Sequence, residues 1–495
     1  MKIISLYLGA MSIIIAAVQM SYSVSLQPQI TAMENSVNTL KSQMASLKST
    51  ASQQSTALQQ KSNMLTQTVD MFQSARANPV AHVYGHYSGR YTSNTVLNKW
   101  NLLSPSVLSG GMMLSSDRSK LTVPAAGVYY IYGQLMLDPT SGDSSGCVFG
   151  LRVNSDIVAS SYTCGPKSGS VDHTKYTGVI RALNKGDSIT ILMQSTCTLD
   201  NFHLGESFLG AVFISFRFSD YSTSAAMTYG LYSGTYKAET LLGRWGYTFN
   251  MRQGGASYNS YGITAGTSGF YFVFGQLQFD PRSSGHRCGF KLQIGSTTLS
   301  HLHIQTDGGS SYDRTEYTGL VAKMSSGDRL QMTSTQSCEF ANHFKYGSFI
   351  GVFYLPFQTE PAIHLLGSST GTFTRGTTLR VWGSPTINIG NVLYSSSGFT
   401  VPKSGIYYVY VQLEIDPAGG SSQRNCGYEL RTERKIIAAA HYWKPNPNNN
   451  DRVTYTGAAA RLNGGDTVSV RMKGTCYLER DNIHGWFLGG FYLRS

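Results

Sequence analysis

The chain has 495 residues, enough for roughly three domains at about 150 residues each. Charged residues make up only 13%, while aromatics reach 12% and glycines number 52, which excludes a disordered chain and a mostly helical one and favours many short strands joined by tight turns. The net charge is +12, yet no Lys/Arg run of five occurs, so no nucleic acid is expected as a partner.

Met1-Lys2-Ile3 opens an apolar run, Ile3 to Val18, broken only by Ser5, Gly9 and Ser12. It is short for a bilayer span of about 20 residues, and the small residues Ser21 and Ser23 follow it at the spacing of a signal-peptidase site. Residues 1–23 are therefore read as a secretory signal peptide, the alternative being a short uncleaved signal anchor of a type II membrane protein. A membrane is a partner only in the second case. Both readings put the rest of the chain in an oxidising, extracellular space, where its seven cysteines are free to pair. No Asn-x-Ser/Thr acceptor is present.

Residues 26–76 are read as a helical coiled-coil stalk. Ile30, Val37, Met44, Ala51, Leu58, Leu65 and Phe72 recur every seven residues. Met33, Leu40 and Leu47 hold the companion row until Gln54, Lys61 and Thr68 break it. Such a narrow stripe is buried only against another helix, so self-association through this segment is expected. A disordered Ser/Gln-rich stalk is the alternative.

The remainder is one unit written three times. Gly127-Val128-Tyr129-Tyr130-Ile131-Tyr132-Gly133-Gln134-Leu135 recurs from Gly269 to Leu277 and from Gly405 to Leu413, ending each time in Asp-Pro (Asp138, Asp280, Asp416). Tyr176-Thr177-Gly178 returns as Tyr317-Thr318-Gly319 and Tyr455-Thr456-Gly457, followed by Gly-Asp at Gly186, Gly327 and Gly465. Cys147 and Cys197, Cys288 and Cys338, and Cys426 and Cys476 are each 50 residues apart, and successive repeats are offset by 141 and 138 residues. Units this long are tandem domains. Their segments are short, rich in Val, Ile, Tyr and Phe, and bounded by Gly, Asp, Asn or Ser, and no helix competes with them. The fold class is therefore all-β: three tandem antiparallel β-sandwiches or jelly rolls after a helical stalk, at 79–219, 225–357 and 361–495, the jelly roll being what the resemblance below implies.

In these motifs the chain resembles the tumour necrosis factor ligand family, itself related to complement-type globular heads. Pro79-Val80-Ala81-His82-Val83 and Ala362-Ile363-His364-Leu365 resemble that family's opening strand. Leu97-x-x-Trp100, Leu242-x-x-Trp245 and Leu379-x-x-Trp382 sit at its next turn. Thr122-Val123-Pro124-x-x-Gly127 and Thr400-Val401-Pro402-x-x-Gly405 match the run into the third strand, and the Phe-Leu-Gly and Phe-Ile-Gly segments match the last strand. The resemblance implies a trimer axis lined by Tyr132, Tyr176 and Phe208; Phe274, Tyr317 and Phe349; and Tyr410, Tyr455 and Phe487. The alternative place for these rings is the core of each sandwich. The short links, about 218–227 and 356–361, suit three domains closing on one axis within a chain, and three chains with stacked like repeats remain the competing arrangement.

The family topology also brings each cysteine pair together, as neighbours within the outer sheet, giving disulfides Cys147–Cys197, Cys288–Cys338 and Cys426–Cys476. Cys164 is left over, either free or bridging two chains. Receptors of the family lie in grooves between adjacent domains and meet an exposed aromatic in the loop between the fourth and fifth strands. Here that position offers Tyr162 in the first repeat, His303 (with His301) in the second, and His441, Tyr442 and Trp443 in the third, before the loop 445–450. No nucleophile elbow, phosphate loop or calcium loop is found, and His301-x-His303 is read as a surface pair without a third ligand. No catalytic residue, metal or cofactor is expected. The implied function is that of an extracellular cytokine that binds and clusters receptor ectodomains. A secreted complement-head-like or lectin-like pattern-recognition protein is the alternative, and a matrix component is a third reading.

Overall fold

The computed structural model describes residues 2–495 except 77, 103–105, 140–145, 164–171, 201–203, 216–223, 281–286, 306–313, 342–345, 356–358, 368, 417–424, 444–451 and 479–483. Cys164, the loop 445–450, the Trp443 side chain, most of the first inter-repeat link and half of the second fall outside the described residues. The chain divides into two units, Met1–Phe72 and Gln73–Ser495.

A single α-helix, Lys2–Arg76, runs without a break through residue 23 and contains Pro28. Its hydroxyls are satisfied on the helix itself: Thr31, Ser36 and Thr39 donate to carbonyls four residues back at 2.8–3.0 Å. Its N-terminal part is long and apolar enough to cross a bilayer by length and composition. The heptad residues Ile30, Met33, Val37, Leu40, Met44 and Leu47 all lie exposed along it.

The second unit consists of antiparallel strands. In the first repeat one sheet carries His173–Leu183, Gly127–Asp138, Phe208–Ser215 and Val80–Gly85 side by side, and the facing sheet carries Asp156–Thr163, Cys147–Val153, Ser188–Met193 and Leu121–Thr122. We call them the inner and outer sheets. The same order returns in the other two repeats. Each Gly-Asp motif is a turn: Gly186, Gly327 and Gly465 adopt φ near 90° (91°, 90° and 90°), open to glycine at little cost. The following aspartate, Asp187, Asp328 or Asp466, accepts the backbone N–H three residues back at 2.7–2.8 Å.

The three disulfides join Cys147–Cys197, Cys288–Cys338 and Cys426–Cys476, with Cα separations of 5.2, 5.0 and 5.2 Å. Their placement corrects the expectation of a bridge within one sheet. Cys147 starts an outer strand, whereas Cys197 starts Cys197–Asp200, which pairs with Ser88–Tyr91 and Gly127–Asp138 of the inner sheet. Each bridge therefore pins one sheet to the other, contributing about 2–4 kcal/mol.

The repeats are not separate beads. The outer sheet of the first repeat continues into the inner sheet of the second through Thr163↔Arg314. The second repeat's outer sheet meets the third's inner sheet through Ile304↔Arg452, and the third's meets the first's through Tyr442↔His173. The result is three composite sheets of 13, 12 and 12 strands. The succession first, second, third, first closes a ring within one chain.

Candidate functional site

Each inner sheet turns its ring-bearing face toward the centre of this ring. Tyr176, Tyr317 and Tyr455 meet there with centroids 4.8, 4.9 and 5.0 Å apart. Tyr132, Phe274 and Tyr410 lie beside them, and Phe208, Phe349 and Phe487 pack alongside. All nine rings anticipated for the axis are buried. A further layer, Tyr130, Phe272 and Tyr408, was not anticipated, although it stands two residues before Tyr132, Phe274 and Tyr410 in the same repeated run; its rings sit 5.5–5.7 Å apart. Edge-to-face pairs of this kind are worth about 0.5–1.5 kcal/mol each beyond the area they bury.

Hydroxyls stitch the repeats across the centre. Tyr130 pairs with Tyr317 at 2.7 Å, and Tyr176 with Tyr408 at 2.6 Å and Tyr130 at 3.0 Å. Tyr132 accepts the Ala459 N–H at 2.9 Å and faces His82 Nδ1 at 3.1 Å; Tyr410 accepts the Val321 N–H at 3.0 Å and faces His364 Nδ1 at 3.1 Å. In the second repeat Phe274 and Met227 replace the Tyr–His pair, so the ring is chemically lopsided.

Burial pushes Tyr130, Tyr132, Tyr176, Tyr317 and Tyr455 well above the ordinary phenol range, and lowers His82 and His364 to about 3. The unfolded chain therefore loses phenol protons above pH about 10 while the folded one keeps them, so stability falls as pH rises past that point. On the acid side the unfolded histidines bind protons from pH about 6.5 downward and the folded ones do not, so stability falls again toward pH 3. Tyrosinate absorbance followed together with circular dichroism should show most axial phenols titrating only as the β signal collapses; smooth titration of the folded protein would contradict this burial.

A repeated glutamine, the one polar side chain in an otherwise apolar run, also spans each junction. Gln134 donates to Ala439 O at 2.7 Å and to its own repeat's Glu206 O at 3.0 Å. Gln276 makes the matching pair with Ser160 O and Gly347 O at 2.8 and 2.9 Å, and Gln412 with His301 O and Gly485 O at 3.2 and 3.1 Å. At one end of the axis the rings give way to charge. Lys175 Nζ meets Glu316 Oε1 at 2.6 Å and donates to Thr315 O at 3.0 Å, and Arg452 reaches His173 at 2.7 Å. These groups line a cavity of about 20 Å³, room for roughly one water molecule. Burial lowers Lys175 to about 8 against the opposing pull of Glu316.

The expected exposed anchors require correction. Tyr162, His303, His441 and Tyr442 are buried at 6%, 2%, 4% and 0% exposure. They stand at the ends of outer edge strands, and each end is covered because it completes the neighbouring repeat's inner sheet. The Tyr162 N–H donates to Thr315 Oγ1 at 2.9 Å and the His441 N–H to Thr174 Oγ1 at 3.0 Å. His303 Nε2 lies 3.2 Å from Glu414 Oε1, which also removes His301-x-His303 as a surface pair. Tyr442 stacks on His173 at 4.7 Å, with the Arg452 guanidinium 4.3 Å from its ring centre. These residues hold repeats together; they do not present a surface. No group of three His, Cys, Asp or Glu residues is placed to hold a metal among the described residues.

Among the described residues, two open grooves stand out. One, about 220 Å³, lies at the junction of the second and third repeats and is walled by Leu299, Leu320, His364, Leu366, Ile387 and His484. The other, about 280 Å³, is basic and lies on the third repeat's outer sheet, lined by Arg375, Arg431, Arg471, Lys473 and Glu429. Most of its charge is particular to that repeat: the positions of Arg375, Arg471 and Lys473 carry Ser93, Leu192 and Gln194 in the first and Ala238, Thr333 and Thr335 in the second, whereas Arg431 has a counterpart in Arg152.

No protein-family profile matches the chain, and no curated protein matches it. Among solved structures it is similar to the Eiger TNF of S. frugiperda, at 19% identity over 29% of this chain and 97% of that chain, with a TM-score of 0.23.

Proposed function

We propose that the chain is an extracellular TNF-like ligand that binds and clusters cell-surface receptors through the grooves between adjacent repeats. The closed ring carries this reading. Three sandwiches locked on one aromatic axis hold their junctions at fixed spacing, and fixed spacing is what a clustering ligand supplies in place of chemistry. The motif resemblance and the cross-sheet disulfides support it. The helix, with its exposed heptad stripe, gathers several rings by pairing with copies of itself, and the signal or anchor at residues 1–23 sets whether they are released or tethered.

The test is binding of the secreted chain to a panel of TNF-receptor-like ectodomains, with stoichiometry read by light scattering. Saturable binding of at least one ectodomain per chain is the expected result. The basic groove favours one second reading, a complement-head-like protein that binds anionic microbial surfaces. Saturable binding to such surfaces, with none to any ectodomain, would replace the first reading by the second.

A further inference from the structure

The three junctions are built alike but not filled alike. Strand register makes Tyr84, Tyr229 and Leu366 equivalent, since they pair with Phe208, Phe349 and Phe487 in turn. At two junctions the tyrosine reaches across to the neighbouring repeat and buries itself there. Tyr84 donates to Ile437 O at 2.6 Å, and Tyr229 donates to Val158 O at 2.6 Å. Offsets of 138 and 141 residues make Leu299 the counterpart of Ile437 and Val158. At the third junction the tyrosine is replaced by Leu366, which has no hydroxyl to donate to Leu299 O. The groove of about 220 Å³ stands there, with Leu299 and Leu366 both on its wall.

Thus the chain displays twice, with its own residues, what that groove accommodates: a phenol ring between two repeats with its hydroxyl on a backbone carbonyl. We propose that the groove between the second and third repeats receives a tyrosine side chain of a partner protein, the ring resting on Leu366 and Leu320 and the hydroxyl donating to Leu299 O. The site is continuous with the junction that His303–Glu414 and Gln412 already hold, and its mouth is open, since Thr297, Lys323 and Thr386 on its rim are exposed. Largely apolar walls with a small number of polar groups suit such a ligand. The proposal rests on the receptor-binding reading and names which junction is used and by what.

The test needs no receptor. A short glycine-flanked tyrosine peptide, titrated into the full secreted chain and followed by ligand-observed NMR, should bind saturably, and the same peptide with phenylalanine should bind several-fold more weakly for want of a donor to Leu299 O. Leu366→Tyr restores the side chain of the other junctions and fills the groove from within, so peptide binding should fall at least tenfold. Leu299→Trp closes the same groove from the opposite wall and should do likewise, and circular dichroism establishes that each variant is folded. Absence of saturable binding by the parent chain, or undiminished binding by either folded variant, overturns the proposal. Receptor binding that persists in Leu366→Tyr overturns the assignment of this groove and leaves the ligand reading standing.

Discussion

Replacing Gly210 by alanine should lower stability by about 1–3 kcal/mol, and valine there should do more, because both overpack a filled centre. A Cβ on Gly210 would lie 2.2 Å from the Tyr132 ring; on Gly351, 2.1 Å from Phe274; on Gly489, 2.3 Å from Tyr410. None of the three rings can swing aside, since each is fully buried among aromatics from another repeat. The glycines of the Tyr-Thr-Gly motif do the same for the next layer: a Cβ on Gly178 or Gly457 would lie 2.4 or 2.6 Å from the hydroxyl of Tyr130 or Tyr408. At about 2–4 °C per kcal/mol, thermal melts should read these losses directly. Gly383→Ala is the control, because its added carbon meets only Leu366 O at 3.5 Å. A parental melting point for Gly210→Ala, Gly351→Ala and Gly489→Ala would mean that the rings do not occupy the centre.

The second large effect concerns the buried ion pair. Glu316→Thr should destabilise by about 3–5 kcal/mol, because it leaves Lys175 charged in a site where its side chain is only 6% exposed. The third repeat has Thr454 at this position, lining the same cavity, so the fold tolerates threonine there. Lys175→Thr combined with Glu316→Thr should accordingly recover most of the loss, a non-additivity that a double-mutant cycle measures. Lys175 is already lowered to about 8, and without Glu316 it moves lower still. A depressed lysine penalises the fold while it is protonated, below its folded pKa, and the penalty is relieved as pH rises through that value. The single variant should therefore lose less at mildly alkaline pH than at neutral pH, measured below the onset of phenol ionisation. A loss in the double variant equal to the sum of the two single-variant losses would show that the pair is not coupled.

The repeat, the sandwich class and the cysteine spacing were legible in the sequence because each recurs within a few residues of its own motif. The nine axial rings were legible only through the motif resemblance, since aromatics repeated at one position would equally fill the core of each sandwich. Tyr130, Phe272 and Tyr408 stand in that same run, but strand alternation alone does not tell a ring that meets a neighbouring repeat from one that fills its own core. The anchors failed for a different physical reason. Tyr162, His303 and His441 end strands that look free in a single repeat, and their cover comes from Thr315, Glu414 and Thr174, each more than 100 residues away. The exchange of Tyr84 and Tyr229 for Leu366 looks like ordinary drift on an apolar position until the strand register shows what the hydroxyl had been holding.

Because the ring closes inside one polypeptide, it has no dissociation constant. A ring of three separate chains comes apart on dilution, whereas here the partners arrive tethered, at an effective concentration set by the short connections and independent of how much protein is in solution. A chain of this kind stays intact at any dilution, and it always carries one of each junction, in the same circular order.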